Sequence, residues 1–94
     1  MRMKIVCVHL RVSGRVQGVF FRASMNDLAV ANGVVGWVKN SPDGSVEALL
    51  QGREESVKAV QDWARNGPLG ARVDSVEVKV ARPDRSLRDF KIIR

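Results

Sequence analysis

The order in which the hydrophobic periodicity changes along the chain restricts its fold more than any other feature of the sequence. Residues 3–12 alternate from face to face, with Val6 and Leu10 on the more apolar side, as in a half-buried strand. Over residues 21–32 the apolar positions recur at helical spacing instead, and Gly33 follows as a C-terminal stop. The N-terminal third is therefore predicted to form a strand followed by a helix.

The remaining segments continue this pattern. "VVGWVKN" and "SVEALLQ" predict two strands that pair through the tight turn "SPDG". Residues 54–66 carry one apolar stripe, which predicts a second helix that "NGP" closes. "VDSVEVKV" alternates again and predicts a fourth strand, and "FKII" predicts a short last strand after a charged loop.

This order predicts an α+β protein, a ferredoxin-like α/β sandwich with two helices on one face of an antiparallel sheet. The elements run βαββαβ, with a short extra strand at the C-terminal end. With 94 residues, 45% apolar and 28% charged, the chain has the composition of one globular domain spanning residues 1–94. We find no internal repeat and no linker.

The predicted topology brings two distant segments to one edge of the sheet. The second strand follows a helical crossover, so it is expected to run parallel to the first and to end on the same side. The glycine-containing turn after the first strand and Asn40 at the end of the second strand then share one rim.

The net charge of +6 is concentrated in the N-terminal part of the chain. The first 40 residues hold six basic side chains and one acidic side chain. Such a field favours encounter with a small anion or a phosphate backbone, although a basic surface without any partner is the simpler interpretation of the composition alone.

Several classes of protein are excluded or disfavoured. His9 and Arg11 interrupt the N-terminal apolar run before a secretory core forms, and no run reaches the roughly 18 apolar residues of a membrane helix. We therefore expect a cytoplasmic protein without a membrane partner. Cys7 is the only cysteine, so neither an internal disulfide nor a thiol-based metal site within this chain is possible.

The turn "GRVQG" has the composition of an anion-binding loop. Glycines allow successive backbone N–H groups to converge on one spot, and the positive end of the following helix adds to the attraction. Arg22, near the first turn of that helix, can present its guanidinium to the same anion. The nucleotide P-loop pattern is missing, and the turn taken alone favours a structural connection over a binding site. Asn40 across the rim shifts the balance towards a functional site.

Two longer motifs resemble those of the acylphosphatase family. "VSGRVQGVFFR" is similar to the first motif of that family and "GWVKNSPDGSVEALLQG" to the second, and the similarity extends over nearly the whole chain. The resemblance implies a ferredoxin-like fold and hydrolysis of the carboxyl-phosphate bond of acyl phosphates without metal or cofactor.

The resemblance also implies roles for individual residues. Arg22 corresponds to the arginine that binds the substrate phosphate, and Asn40 to the asparagine that positions the attacking water. The phosphate-binding loop corresponds to Arg15, Val16, Gln17, Gly18 and Val19.

The resemblance further implies a small acyl phosphate as substrate and inorganic phosphate as product and competitive inhibitor. We expect a monomer with no nucleic-acid partner. Phe20 and Phe21 are interpreted as packing groups, although Phe20 stands where many family members have glycine, which affects the acyl side of the site. His9 is interpreted as an ordinary strand residue.

Two non-catalytic alternatives remain open at this point. An RNA-recognition module of the same fold requires two or three aromatic residues on its open sheet face, and the three Phe and two Trp of this chain do not form that pattern. A module that binds an anionic metabolite without turnover needs the loop but has no use for Asn40. Phosphate release from acetyl or benzoyl phosphate without added metal distinguishes both from an enzyme.

Overall fold

The structure is a computed structural model that describes residues 4–94. Its helices and strands follow the predicted order. The strands are β1 (Ile5–Arg15), β2 (Val35–Asn40), β3 (Val46–Arg53), β4 (Arg72–Val80) and β5 (Phe90–Ile92). The helices are α1 (Phe21–Ala31), between β1 and β2, and α2 (Glu54–Ala64), between β3 and β4. Within residues 4–94, neither helix has the length and apolar character needed to cross a membrane.

The five strands form one sheet in the order β4-β1-β3-β2-β5. β3 is antiparallel to both β1 and β2, so β1 and β2 run in the same direction, as predicted. Val46 of β3 pairs with Val12 of β1 on one side and with Asn40 of β2 on the other. Since neighbouring strands lie about 4.8 Å apart, the backbones at Val12 and Asn40 are separated by two such spacings, or about 10 Å.

The hydrophobic core lies between the helices and one face of the sheet. Alternation along the strands directs every second side chain towards the helices, which present their apolar stripes in return. The two helices also meet each other, where the rings of Phe21 and Trp63 pack with centroids 5.1 Å apart. The core side chains with no exposed surface include Leu10, Val12, Met25, Ala29, Val38, Val46, Leu50, Val60 and Ala64.

Two details differ from the prediction. β1 continues to Arg15 rather than ending at Val12, because a bulge between Ser13 and Gly14 lets pairing with β4 resume after the register shift. Gly14 has a φ of 130°, and a Cβ there would lie 2.1 Å from the Arg72 carbonyl oxygen. The predicted start at residue 3 lies outside the described residues. The sheet is also mixed rather than fully antiparallel, since β5 pairs in parallel with β2.

Candidate active site

A cavity of about 280 Å³ at the predicted rim brings together the residues that the sequence connected. Arg22 from α1 and Asn40 from β2 both line it, together with Gly18 from the intervening loop. Residues 16–20, between β1 and α1, are called the anion loop below. The parallel direction of β1 and β2 is what brings this loop and Asn40 to one cavity.

The anion loop offers hydrogen-bond donors that the rest of the fold does not use. None of the backbone N–H groups of residues 16–20 donates a hydrogen bond to another group within residues 4–94. Gly18 has a φ of 75°, and a Cβ there would meet nothing within 4 Å, so a ligand can approach the backbone closely. Free donors in succession are the arrangement with which proteins bind anions.

The start of α1 adds to this positive potential. The cap residue Phe20 makes no side-chain hydrogen bond to the helix, and the first turn contains no acidic residue. The N-terminal N–H groups of a helix have no partner within the helix and carry partial positive charge. An anion in the cavity therefore meets both the loop and the helix end.

Arg22 is the second residue of α1 and is half-buried at the cavity. No carboxylate within residues 4–94 lies within 4.0 Å of its guanidinium. Because the guanidinium has no internal counter-ion, its forked donors are available to two oxygens of one anion.

Asn40 is the last residue of β2, and its side chain holds an unpaired acceptor. The Oδ1 atom is buried and has no hydrogen-bond partner within residues 4–94. Buried side-chain oxygens are nearly always hydrogen-bonded, so an unpaired one in a cavity indicates a position that a ligand or water completes.

Gln17 connects the anion loop to the turn of the β2–β3 hairpin. Its Nε2 group donates to the carbonyl oxygens of Ser41, at 2.8 Å, and Ser45, at 2.9 Å. The side chain thus ties the loop to the residue that follows Asn40. Sequence reasoning placed Gln17 in the phosphate loop but did not predict this contact, which only the folded arrangement creates.

The hairpin turn is itself held by a compact polar network. Gly44 N donates to the Ser41 carbonyl oxygen at 3.1 Å, which confirms the predicted tight turn. Asp43 accepts from the Ser45 hydroxyl at 2.6 Å and from Ser45 N at 2.9 Å. These hydrogen bonds lower the pKa of Asp43, and the charge of Arg11 makes a smaller contribution. Arg11 donates to the side chains of Asp43 and Ser45, each at 2.9 Å. The turn beside Asn40 is therefore anchored to β1.

Comparison with known proteins identifies the family of the chain. The family model described as Acylphosphatase matches residues 8–92, a range that includes the anion loop, Arg22 and Asn40. The chain belongs to the acylphosphatase family. A relative from Thermococcus kodakarensis named Acylphosphatase is 53% identical over 91 residues, which cover 97% of this chain and 99% of the relative.

Further acylphosphatases agree with this result. One from Pyrobaculum aerophilum is 48% identical over 92 residues, or 97% of each chain. The solved structure of an acylphosphatase from Coxiella burnetii matches with a TM-score of 0.87 at 38% identity, covering 95% of this chain and 93% of the other. The chain is accordingly a hydrolase with acyl phosphates as its substrate class, and the RNA-binding and metabolite-binding alternatives are not favoured.

The residues predicted to form the phosphate-binding loop differ in their position and burial. Arg15 lies at the end of β1 rather than in the anion loop. Its backbone pairs with that of Arg72 in β4, and its side chain is exposed. Val16 is buried, and Val19 packs against the core. Because these valine side chains pack into the protein, the polar groups that the valines present to a ligand are those of the backbone.

The expectation that both phenylalanines serve as packing groups is half right. Phe21 is buried in the core, but Phe20 is 81% exposed and lines the cavity. Ile92 of β5 also lines it and was not predicted. Both misses arise at element ends, where the sequence period no longer indicates which way a side chain points.

His9 lies on the open face of the sheet and is not among the cavity residues, which agrees with its interpretation as a strand residue. Its ring packs against Trp37 with centroids 5.9 Å apart, and its Nε2 lies 3.7 Å from Glu47 Oε2. Within residues 4–94, no three His, Cys, Asp or Glu side chains form a group that could ligate a metal ion.

Proposed function

We propose that this cavity hydrolyses acyl phosphates without a cofactor, with phosphate bound by the anion loop and Arg22 and with water positioned by Asn40. The observation that supports these roles best is the pairing of unmatched groups in one cavity. Arg22 lacks an acidic partner and Asn40 Oδ1 lacks a donor, both within residues 4–94. Arg22 offers hydrogen-bond donors, as binding an anion requires, and Asn40 Oδ1 offers an acceptor, as orienting a water requires.

The phosphate end of the reaction depends on electrostatic stabilisation. The free N–H groups of residues 16–20 and the start of α1 donate to phosphoryl oxygens, and Arg22 neutralises their charge through two hydrogen bonds. In phosphoryl transfer, positioning and charge stabilisation supply most of the catalysis, because the protein forms no covalent bond to the group.

The attacking water is oriented on the opposite side. Asn40 Oδ1 accepts a hydrogen bond from the water and directs its lone pair at phosphorus, without any need for a shifted pKa. The water oxygen forms the new P–O bond as the bond to the acyl oxygen breaks, and the electron pair leaves on the carboxylate. A carboxylate is a weak base, so it departs without a general acid. A phosphate oxygen accepts the proton that the water loses.

The test is phosphate release from acetyl phosphate by the full chain in excess chelator. Asn40→Ala is expected to lose about a hundredfold in kcat, since misplacing a reactant by an ångström costs about that factor. Inhibition by inorganic phosphate and Tm are expected to stay close to wild type. Asn66→Ala, which truncates an exposed asparagine after α2, serves as the matched control.

Two results would contradict the proposal. Full activity of Asn40→Ala removes this residue from the mechanism. Activity that the chelator abolishes and magnesium restores shows that the reaction requires a metal.

The finer partner assignments belong to the same proposal. We propose that inorganic phosphate, the product, occupies the anion loop and inhibits competitively. We also propose that the protein is a cytoplasmic monomer without a nucleic-acid partner. The small size of the cavity suits a small anion rather than a polymer, which supports phosphate as the ligand and the absence of a nucleic-acid partner.

A further inference from the structure

Phe20, at the junction of the anion loop and α1, combines two energetically costly features. Its side chain is 81% exposed, and its φ of 64° places the backbone in the left-handed region that L side chains rarely adopt. Among residues 4–94 it is the only non-glycine residue with a positive φ. Backbone strain and exposed apolar groups both occur preferentially where a protein contacts a ligand.

The exposed ring belongs to the active-site cavity. Phe20 lines this cavity together with Arg22 and Asn40, and so does Ile92, which is 45% exposed. The cavity thus combines polar groups suited to phosphate with two exposed apolar side chains that the phosphate does not use.

We propose that Phe20 is a specificity-determining residue that makes the enzyme prefer acyl phosphates with an aromatic or extended apolar acyl group. This inference rests on the proposed function, in which the phosphate is held at Arg22. With the phosphate fixed there, an aromatic or extended apolar acyl group gains binding free energy by covering the Phe20 ring and the Ile92 side chain. An acetyl group has too little surface to do so.

A purely structural role for Phe20 would have a different signature. A residue that supports the fold loses stability when it is truncated, as expected for its buried neighbour Phe21. The ring of Phe20 is mostly in solvent, and glycine adopts the left-handed conformation without a Cβ clash. Phe20→Gly is therefore expected to keep or raise Tm while it changes substrate preference.

The experiment compares benzoyl phosphate with acetyl phosphate in the full chain, Phe20→Gly and Phe20→Leu. Phe20→Gly is expected to lower kcat/KM for benzoyl phosphate about tenfold, mainly through KM, since contact with one aromatic ring contributes about that factor. For acetyl phosphate the change should stay within about twofold, as expected of a group it does not cover. Phe20→Leu should retain part of the preference, and Leu69→Ala, which truncates a fully exposed side chain outside the cavity lining, should retain all of it.

An equal loss for both substrates, or no loss for either, would overturn the role of Phe20 while leaving the proposed function intact. A lower Tm with an unchanged substrate ratio would assign Phe20 a structural role instead. Failure of the proposed function has another signature: wild-type protein would release phosphate from neither substrate, and inorganic phosphate would not shift the amide NMR resonances of the anion loop. That result overturns both proposals.

Discussion

Arg22 differs in its acidic partners from Arg11, the other half-buried arginine of residues 4–94. Arg11 binds Asp43 and Glu47 on the open sheet face, and Arg72 binds Asp74 at the edge. Arg22, at the cavity, has no acidic partner within residues 4–94. A half-buried charge without a counter-ion costs solvation free energy, which phosphate bound as proposed would offset.

Arg22→Gln is therefore expected to weaken both phosphate inhibition and turnover. Among residues 4–94 this side chain is the only charged one that lines the cavity. Its loss should reduce kcat/KM by about a hundredfold or more, the range seen when one charge-stabilising donor is removed. Arg22→Lys should recover part of this loss, because lysine retains the charge without the fork. The measurements are the Ki of inorganic phosphate and the steady-state kinetics.

Arg65→Gln, at a residue outside the cavity lining, is the control for the change in net charge. It lines a different groove, between α2 and β1, and should leave both constants near wild type. Undiminished phosphate inhibition in Arg22→Gln would contradict its role in binding.

At the scale of elements, the site depends on the docking of the anion loop onto the β2–β3 hairpin. Gln17 Nε2 donates the two hydrogen bonds that join them, to the backbone carbonyl oxygens of Ser41 and Ser45. The two halves of the site belong to separate segments, so their spacing is fixed by this contact as well as by the sheet.

Gln17→Ala is expected to destabilise the fold and to raise the Ki of inorganic phosphate. Losing two hydrogen bonds should cost about 2 kcal/mol in the free energy of unfolding, while each carbonyl oxygen keeps one backbone donor, from Gly44 N and Ser41 N respectively. Because the loop also loses its anchor, binding of phosphate should weaken severalfold. Urea denaturation and phosphate inhibition measure the two effects.

Gln51→Ala provides a matched control. Gln51 exchanges two hydrogen bonds with the Asp84 backbone, at 2.9 and 2.7 Å, and pairs with Val35 at the opposite end of β2 from Asn40. A similar loss of stability with an unchanged Ki is expected. If both variants weakened phosphate binding equally, the effect of Gln17 would be one of general stability.

At the scale of the whole molecule, a charged network on the open sheet face joins three strands. Glu47 of β3 lies opposite Arg11 of β1 and Lys39 of β2 and contacts both, and it also lies near His9. Burial raises the pKa of Glu47, but the nearby Ser41 hydroxyl and these positive charges outweigh burial and hold the pKa below its usual value. The network thus favours the ionised carboxylate.

Glu47 should make stability depend on pH on the acidic side. Because its folded-state pKa lies below the value of 4.5 usual for Glu, ionised Glu47 stabilises the fold above that pH. The contribution is lost as the pH falls through the folded-state pKa. Tm measured between about pH 7 and about pH 3 should therefore fall less in Glu47→Gln than in wild type.

At neutral pH the same variant should lose about 1–2 kcal/mol in the free energy of unfolding, since Arg11 loses a charged partner. Glu55→Gln, at the exposed start of α2, is the control and should keep the wild-type pH profile. Parallel Tm profiles for wild type and Glu47→Gln would contradict the stabilising role of the ionised carboxylate.

Most of the fold was predictable because hydrophobic period is a local property. The helices start or end within a few residues of their predicted bounds, and the "SPDG" turn forms as its residues indicate. β1 was predicted too short, since pairing with β4 rather than local composition carries it through the bulge at Gly14. The parallel pairing of β5 with β2 likewise depends on a distant partner.

The sequence by itself determined the order of elements, the shared edge of β1 and β2, and the placement of Arg22 and Asn40 near that edge. Only the tertiary structure decided that Gln17 bonds to the hairpin, that Phe20 faces solvent at the cavity and that Ile92 joins the lining. Periodicity and topology follow from backbone geometry, which repeats along the chain. The direction of a side chain at a loop or strand end follows from contacts with segments far away in sequence, and those exist only once the chain has folded.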